Sequence, residues 1–405
     1  MNKGNATKTQ SGFASTVLLG AAAFLLVLAV VSAPEPAFQA TLQALKLWWN
    51  IVFPALLPFL VLVEILMAYG FAHGAGVLLD PFMRKLFKLP GSGGWVLITG
   101  MTAGFPAGAQ AAASMHRQGD LGPGEAGRLA AMAHFCNPMT ILVVIGTGLL
   151  HQPAAGYLLL IVHWITGLLA AWLFSFFRRT PHGRNDVAKP NKPARQVPLL
   201  KRAAAAALEA HKRDGRSFGR LLGDSVTRSV QTLMMAGGFI LLFAVLTRVL
   251  SENVLPLLPS YFTSGLLEIH LASASISSSA FTNSAMQLAV LSAVLAWSGI
   301  SAQLQSLSLM RDAGLSWSYF ILKRIVHSLL AFLVMLACWK PASSLSAAIV
   351  PAFRTEPPQT GQKGNIFNLW TGFPSVLQTQ IAFFLLIAAA LWVISSIAQI
   401  GRAHV

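Results

Sequence analysis

The residues best able to do chemistry stand in SGLLEIHLAS, where Glu268 and His270 lie two positions apart in an otherwise uncharged run. An acid inside an apolar segment costs about 2.5–3.5 kcal/mol to insert, so it marks a site or an ion path unless it sits at the headgroups. Ser273, Ser275, Ser277, Ser278, Ser279, Thr282, Asn283 and Ser284 follow, offering hydroxyls and an amide without charge. That set suits a hydrogen-bonding solute or a dehydrated cation, although hydroxyls also serve as glue between membrane helices. Glu64, in PFLVLVEILMAYG, is a secondary candidate, with snorkelling to the inner interface as its alternative.

Three breaks accompany these groups. In GFPAGAQ, Gly104, Pro106 and Gly108 would free backbone groups at membrane depth, which is tolerated only in a protein interior or beside water. A helix starting there, with Gln110 in its first turn, would offer N–H groups and a positive dipole end to a polar ligand. A tight turn holding no ligand fits the same residues. Pro138 pushes Asn137 out of helical geometry, and with His134 one turn earlier Asn137 could face the 104–108 break. A Pro kink capped by Asn is the alternative. The third break, WSGISAQ, carries Ser298, Ser301 and Gln303.

No HExxH, P-loop, GxSxG elbow or metal-spaced Cys/His set is present, and His116, His151, His163 and His327 are scattered. Neither an enzyme nor a cofactor or metal site is expected.

These groups need elements to hold them. The chain of 405 residues is 55% hydrophobic and 10% charged, against about a quarter charged in soluble domains, so it reads as an all-α polytopic membrane protein. Its net charge of +16 gathers between apolar spans, which fits the positive-inside rule and anionic lipid better than nucleic acid. Cys136 and Cys338 form neither a disulfide framework nor a thiolate metal site.

Eight spans are expected near 15–33, 47–69, 129–150, 154–177, 226–250, 283–308, 318–340 and 376–400, with re-entrant segments at 93–113 and 264–281. Arg84, Lys85 and Lys88 follow the second span, and twelve Lys/Arg stand between Arg178 and Arg220 against three acids. Both stretches belong in the cytoplasm, so the chain crosses an even number of times between them. A dip and return at 93–113 satisfies that count. Both termini then face the cytoplasm of a bacterial inner membrane. Phe13–Ala33 exceeds the usual signal-peptide core of about 7–15 residues, so it reads as a retained signal anchor.

The order span, re-entrant segment, span, span occurs at 47–177 and again at 226–340. Three crossings per unit invert the second, a pattern that places a transporter's site at mid-membrane. The chain divides into 1–46, an anchor; 47–178 and 223–340, two repeats; 179–222, a basic linker; and 341–405, an outer loop and last span. An amphipathic helix near 199–213 in the linker reads as lying on anionic inner-leaflet lipid, or as a solvated tether.

LWWNIVFPALLPF (47–59), GFPAGAQ with RQGDLGPGEAGRL (117–129), CNP (136–138) and GLLEI with WSGISAQLQ resemble the sporulation integral membrane protein YlbJ family. That family belongs to the nucleoside-recognition, or Gate, group, whose domain also occurs in concentrative nucleoside transporters and in FeoB. The resemblance departs at Phe105 and Ala107, where the pattern has Tyr and Ser, and at His270 with its serine run. It implies a Gate-domain membrane protein associated with spore maturation and cortex formation and supplies no substrate; from the broken helices and inverted units the expected function is moving or gating a small polar solute. A non-transporting assembly factor of the sporulation membrane is the alternative, and a homo-oligomer is compatible with either.

Overall fold

Hydrocarbon offers the backbone no hydrogen bonds, so apolar chain winds into helices. The computed structural model describes residues 17–177 apart from 18, 19 and 22, then 198–253, 257–281, 283–310 and 317–349, with side chains to 339 in the last. Among the described residues every regular element is helical. They are α1 (Pro34–Ala68), α2 (Phe71–Lys85), α3 (Gly93–Ala103), α4 (Ala107–Arg117), α5 (Pro123–Met132), α6 (Thr140–Leu149, wound as a π-helix), α7 (Pro153–Phe177), α8 (Leu199–Asp214) and α9 (Phe218–Asn253). They continue with α10 (Ser260–Leu267), α11 (Ile269–Ser278), α12 (Ser284–Trp297), α13 (Gly299–Leu309) and α14 (Trp317–Ile349).

Among the described residues five helices are long and apolar enough to cross a membrane: α1, Pro153–Phe176, Phe218–Glu252, Ser284–Leu309 with its break included, and Trp317–Trp339. Several expected spans change shape. The second begins at Pro34, so the 46/47 boundary falls inside the continuous helix α1. The span expected at 129–150 is interrupted: α5 ends at Met132, and residues 134–137 carry no helix. Pro138 has no N–H to give, and Asn137 Oδ1 accepts from Met139 N–H at 2.8 Å, replacing the helical bond there. The span at 283–308 breaks at Ser298 and Gly299, whose φ angles are +72° and +71°. Of the span at 15–33 the described apolar helix is Ala23–Ser32; the 222/223 and 340/341 boundaries fall inside α9 and α14, and the linker to 197, Thr282, the outer loop from 350 and the 376–400 span lie outside the described residues.

The segments expected to re-enter are helical hairpins. Ser260 Oγ lies 3.2 Å from Ser275 Oγ across the α10–α11 pair. In the α3–α4 pair a Cβ on Gly108 would stand 3.1 Å from Gly100 Cα, although eight residues of one straight helix would separate them by about 12 Å. Arms of 8 to 11 residues extend about 12–17 Å, roughly half of a 30 Å hydrocarbon core. The order long helix, hairpin, interrupted helix, long helix occurs twice, with α2 additional in the first unit. The long helices pair between units, α1 along α9 and α7 along α14.

Trp48 pins the first of these pairs. Its indole is buried and donates from Nε1 to Leu233 O at 3.0 Å. Trp48→Phe keeps most of the apolar area and removes the bond, so it should cost about 1 kcal/mol, read as a lowered denaturation midpoint of the purified protein. The linker helix α8 does not float free: Ala203 is buried against α2, His211 stacks on Tyr69 at 4.4 Å, and its Nδ1 lies 3.2 Å from Ala68 O. Beyond its end, Arg216 bonds Asp214 at 2.7 Å and holds that carboxyl below the usual carboxylate range.

Candidate functional site

Each hairpin tip is fastened to an interrupted helix. Gly104 ends α3 at φ +80°, and a Cβ there would stand 2.8 Å from Asn137 N. Asn137 Nδ2 donates to Ala103 O at 3.2 Å, and Phe105 N–H to Phe135 O at 2.9 Å. Cys136 N–H donates to His163 Nε2 at 3.0 Å. In the second unit, Trp297 Nε1 donates to Leu266 O at 3.1 Å, beside the Ser298–Gly299 break.

The two breaks meet through His134. Its Nε2 is 2.8 Å from Ser298 Oγ and its Nδ1 2.9 Å from Ser306 Oγ, while its ring stacks on Phe105 at 4.9 Å. Ser298 gives its own hydroxyl proton to Trp297 O, so it accepts from Nε2–H, and the Ser306 hydroxyl donates to Nδ1. Below this, the buried Arg324 donates from Nη1 to His134 O at 2.7 Å and from Nη2 to Ala131 O at 3.0 Å. Nη1 also lies 3.5 Å from Ala296 O and 3.3 Å from His327 Nδ1. One guanidinium thus takes up carbonyls at the ends of α5 and α12, the negative poles of both helices.

Between the fastened tips lies a pocket of about 670 Å³, its open mouth included. Both hairpin tips, the break at Asn137, the first turns of α13 after the second break, α1 and α9 line it. Of the residues singled out from the sequence, Pro106, Asn137, Glu268, His270 and Ser301 line it, and Gly104 shapes the adjoining turn. Glu268 Oε2 caps α11 by accepting from Leu271 N–H at 2.8 Å, and its Oε1 is 2.7 Å from His270 Nδ1.

The remaining candidates stand elsewhere. Gly108 is consumed by packing, because a Cβ there would meet Ala133 O at 2.6 Å. Gln110 is exposed. Ser273 is fully buried behind the pocket with an unpartnered Oγ, and Ser275 pairs with Ser260 inside the hairpin. Asn283 is exposed and caps α12 by accepting from Met286 N–H at 2.8 Å. Ser298 is held by His134, and Gln303 donates to Trp297 O at 2.9 Å, so Gln305 reaches the pocket instead. Glu64 lies 4.0 Å from Arg228 on the outer faces of α1 and α9, with 39% of its side chain exposed. Composition reasoning passed over Phe105, Thr140, Thr232 and Gln305 in the lining, and Arg324 with His163 and His327 beneath it. The adjacent Lys323 and Arg324 within an apolar span were the available signal.

Residues 50–150 match the family model described as Gate, nucleoside recognition. The chain is 34% identical over 346 residues to the sporulation integral membrane protein YlbJ of Bacillus subtilis (strain 168), covering 81% of this chain and 83% of that protein. No solved structure matches.

Proposed function

Starting from the fact that the chain belongs to the YlbJ family of sporulation integral membrane proteins, we propose that it binds a small polar solute between its hairpin tips and passes or gates it across the membrane. One observation carries this reading: a pocket where two hairpin tips meet two interrupted helices, lined by a buried carboxylate, an imidazole, two amides and hydroxyls. Broken helices of this kind serve solute sites because they expose backbone and side-chain polar groups where lipid cannot.

The membrane placement follows from charge. With the basic stretches 84–88 and 178–220 inside, the hairpin α3–α4 dips in from the cytoplasm and α10–α11 from the opposite face, which inverts the second unit. Eight crossings and two cytoplasmic termini complete the arrangement. On α8, exposed Leu200 and Leu208 beside Lys201, Arg202 and Lys212 suit the anionic inner leaflet.

An assembly role without transport is favoured by one feature: His134, Arg324 and Asn137 satisfy the breaks internally. Water access separates the two. Gln305→Cys, half-buried in the lining, should react with a water-soluble maleimide in the full-length protein carrying Cys338→Ala, while the buried Cys136 stays inert. An unreactive Gln305→Cys in folded protein leaves assembly as the better reading.

A further inference from the structure

The pocket contains one ionisable pair, and its geometry leaves one atom of that pair without a partner. Glu268 is 4% exposed and His270 8%. A carboxylate only accepts, so His270 Nδ1 carries the hydrogen of the 2.7 Å contact and Nε2 is the open position. Nε2 is buried and has no hydrogen-bond partner, and His270 lines the pocket.

The surroundings supply little competing charge. Of the helices packed on α11, α6 and α12 carry no ionisable residue, and α10 carries Tyr261, whose ring lies 5.4 Å from Phe281. On α9, Asp224 is bonded to Arg216, Arg228 faces Glu64, Arg248 pairs with Glu252, and Arg220 is exposed near the cytoplasmic end. None of these lines the pocket. The Cys136 thiol is within electrostatic reach of Glu268.

Building on the solute-pocket reading, we propose that the Glu268–His270 pair is a proton-binding site that couples occupancy of the pocket to uptake of one proton at His270 Nε2. Without that proton the pair carries a net negative charge, held by the Leu271 N–H and the N-terminus of α11, and Nε2 is an acceptor. With it the pair is neutral and Nε2–H is a donor. A single proton therefore reverses the hydrogen-bonding sense of the pocket's open atom and cancels the pair's net charge, leaving carboxylate and imidazolium in contact. A solute presenting a carbonyl or anionic oxygen to His270 enters together with the proton, and by linkage its binding favours protonation equally.

The test needs no solute. In full-length protein with Cys338→Ala, maleimide reaction of Gln305→Cys is compared between about pH 5 and 8.5. Each rate is divided by that of Leu257→Cys, which is 96% exposed and reports the thiol's own titration. The expected ratio changes by about fivefold or more in a single step, the size of an ordinary coupling. Glu268→Gln and His270→Gln should flatten it. A flat ratio while Gln305→Cys still reacts overturns the coupling and leaves the pocket standing; no reaction at any pH sinks both. A step that survives both substitutions also overturns it. Should either variant fail to accumulate, diethylpyrocarbonate modification of His270 in the unsubstituted chain, read by peptide mass, must titrate with the same midpoint, and a different midpoint rejects the assignment.

Discussion

Arg324→Met should destabilise the protein by about 3 kcal/mol or more, the largest effect expected of any single polar residue described. The substitution nearly preserves volume and removes a buried charge, which alone would favour the variant. Against that, it strips the short hydrogen bonds from Ala131 O and His134 O, and each buried carbonyl left open costs about 1–3 kcal/mol. These carbonyls also lie at helix ends, where no later N–H exists to take them. Arg324→Lys should recover little, because an ammonium on a single stem cannot fork between two helices. Thermal or denaturant unfolding of detergent-purified protein measures this. An unchanged midpoint for Arg324→Met would show that water or a neighbouring donor already satisfies those oxygens.

Gly100→Ala should be comparably damaging although it adds a single methyl group. The new Cβ would lie 2.0 Å from Ala133 O and 2.7 Å from Ala133 C, both backbone, so no rotamer change relieves it. Hairpin α3–α4 must move away from residues 133–137, which costs the Phe105–Phe135 and Asn137–Ala103 bonds that fasten its tip. Overpacking usually costs about 1–3 kcal/mol, and this contact belongs at or above the top of that range. Gly124→Ala makes the matched control: it lies in α5 with open space around its Cβ position, and a helical Gly→Ala exchange is favourable by about 0.5–1 kcal/mol. Equal effects from the two substitutions would mean that the close approach is not what holds the tip.

Much of this arrangement is written in residue types that have few uses in lipid. Gly104 with Pro106, Asn137 with Pro138, Glu268, and Ser298 with Gly299 each forbid or discourage a continuous helix, and each is a break in the structure. What those residues touch was not legible. His134 reads as an accessory to Asn137 because it stands one turn away, yet its partners are Ser298 and Ser306, more than 160 positions later. Periodicity acts within a window of about 11–18 residues and charge counting only orients spans, so neither carries information on such pairings. Asn283 and Gln303 illustrate the opposite difficulty: an amide suits a solute, a helix cap or a neighbouring carbonyl equally well by composition, and only packing decides among them. The apolar half of the lining, Leu56, Leu60 and Phe239, is hidden because the same residues face lipid elsewhere.

The bonds of Arg324 also bear on how the chain is made. Ala131 and His134 emerge from the ribosome 193 and 190 residues ahead of the side chain that takes their carbonyls. At synthesis rates of about 5–20 residues per second, the first unit waits roughly 10–40 s with those oxygens open. During that interval the 133–137 stretch must stay beside water or a helper protein rather than face lipid. The helix ends of the first unit can therefore be completed only once α14 has been translated.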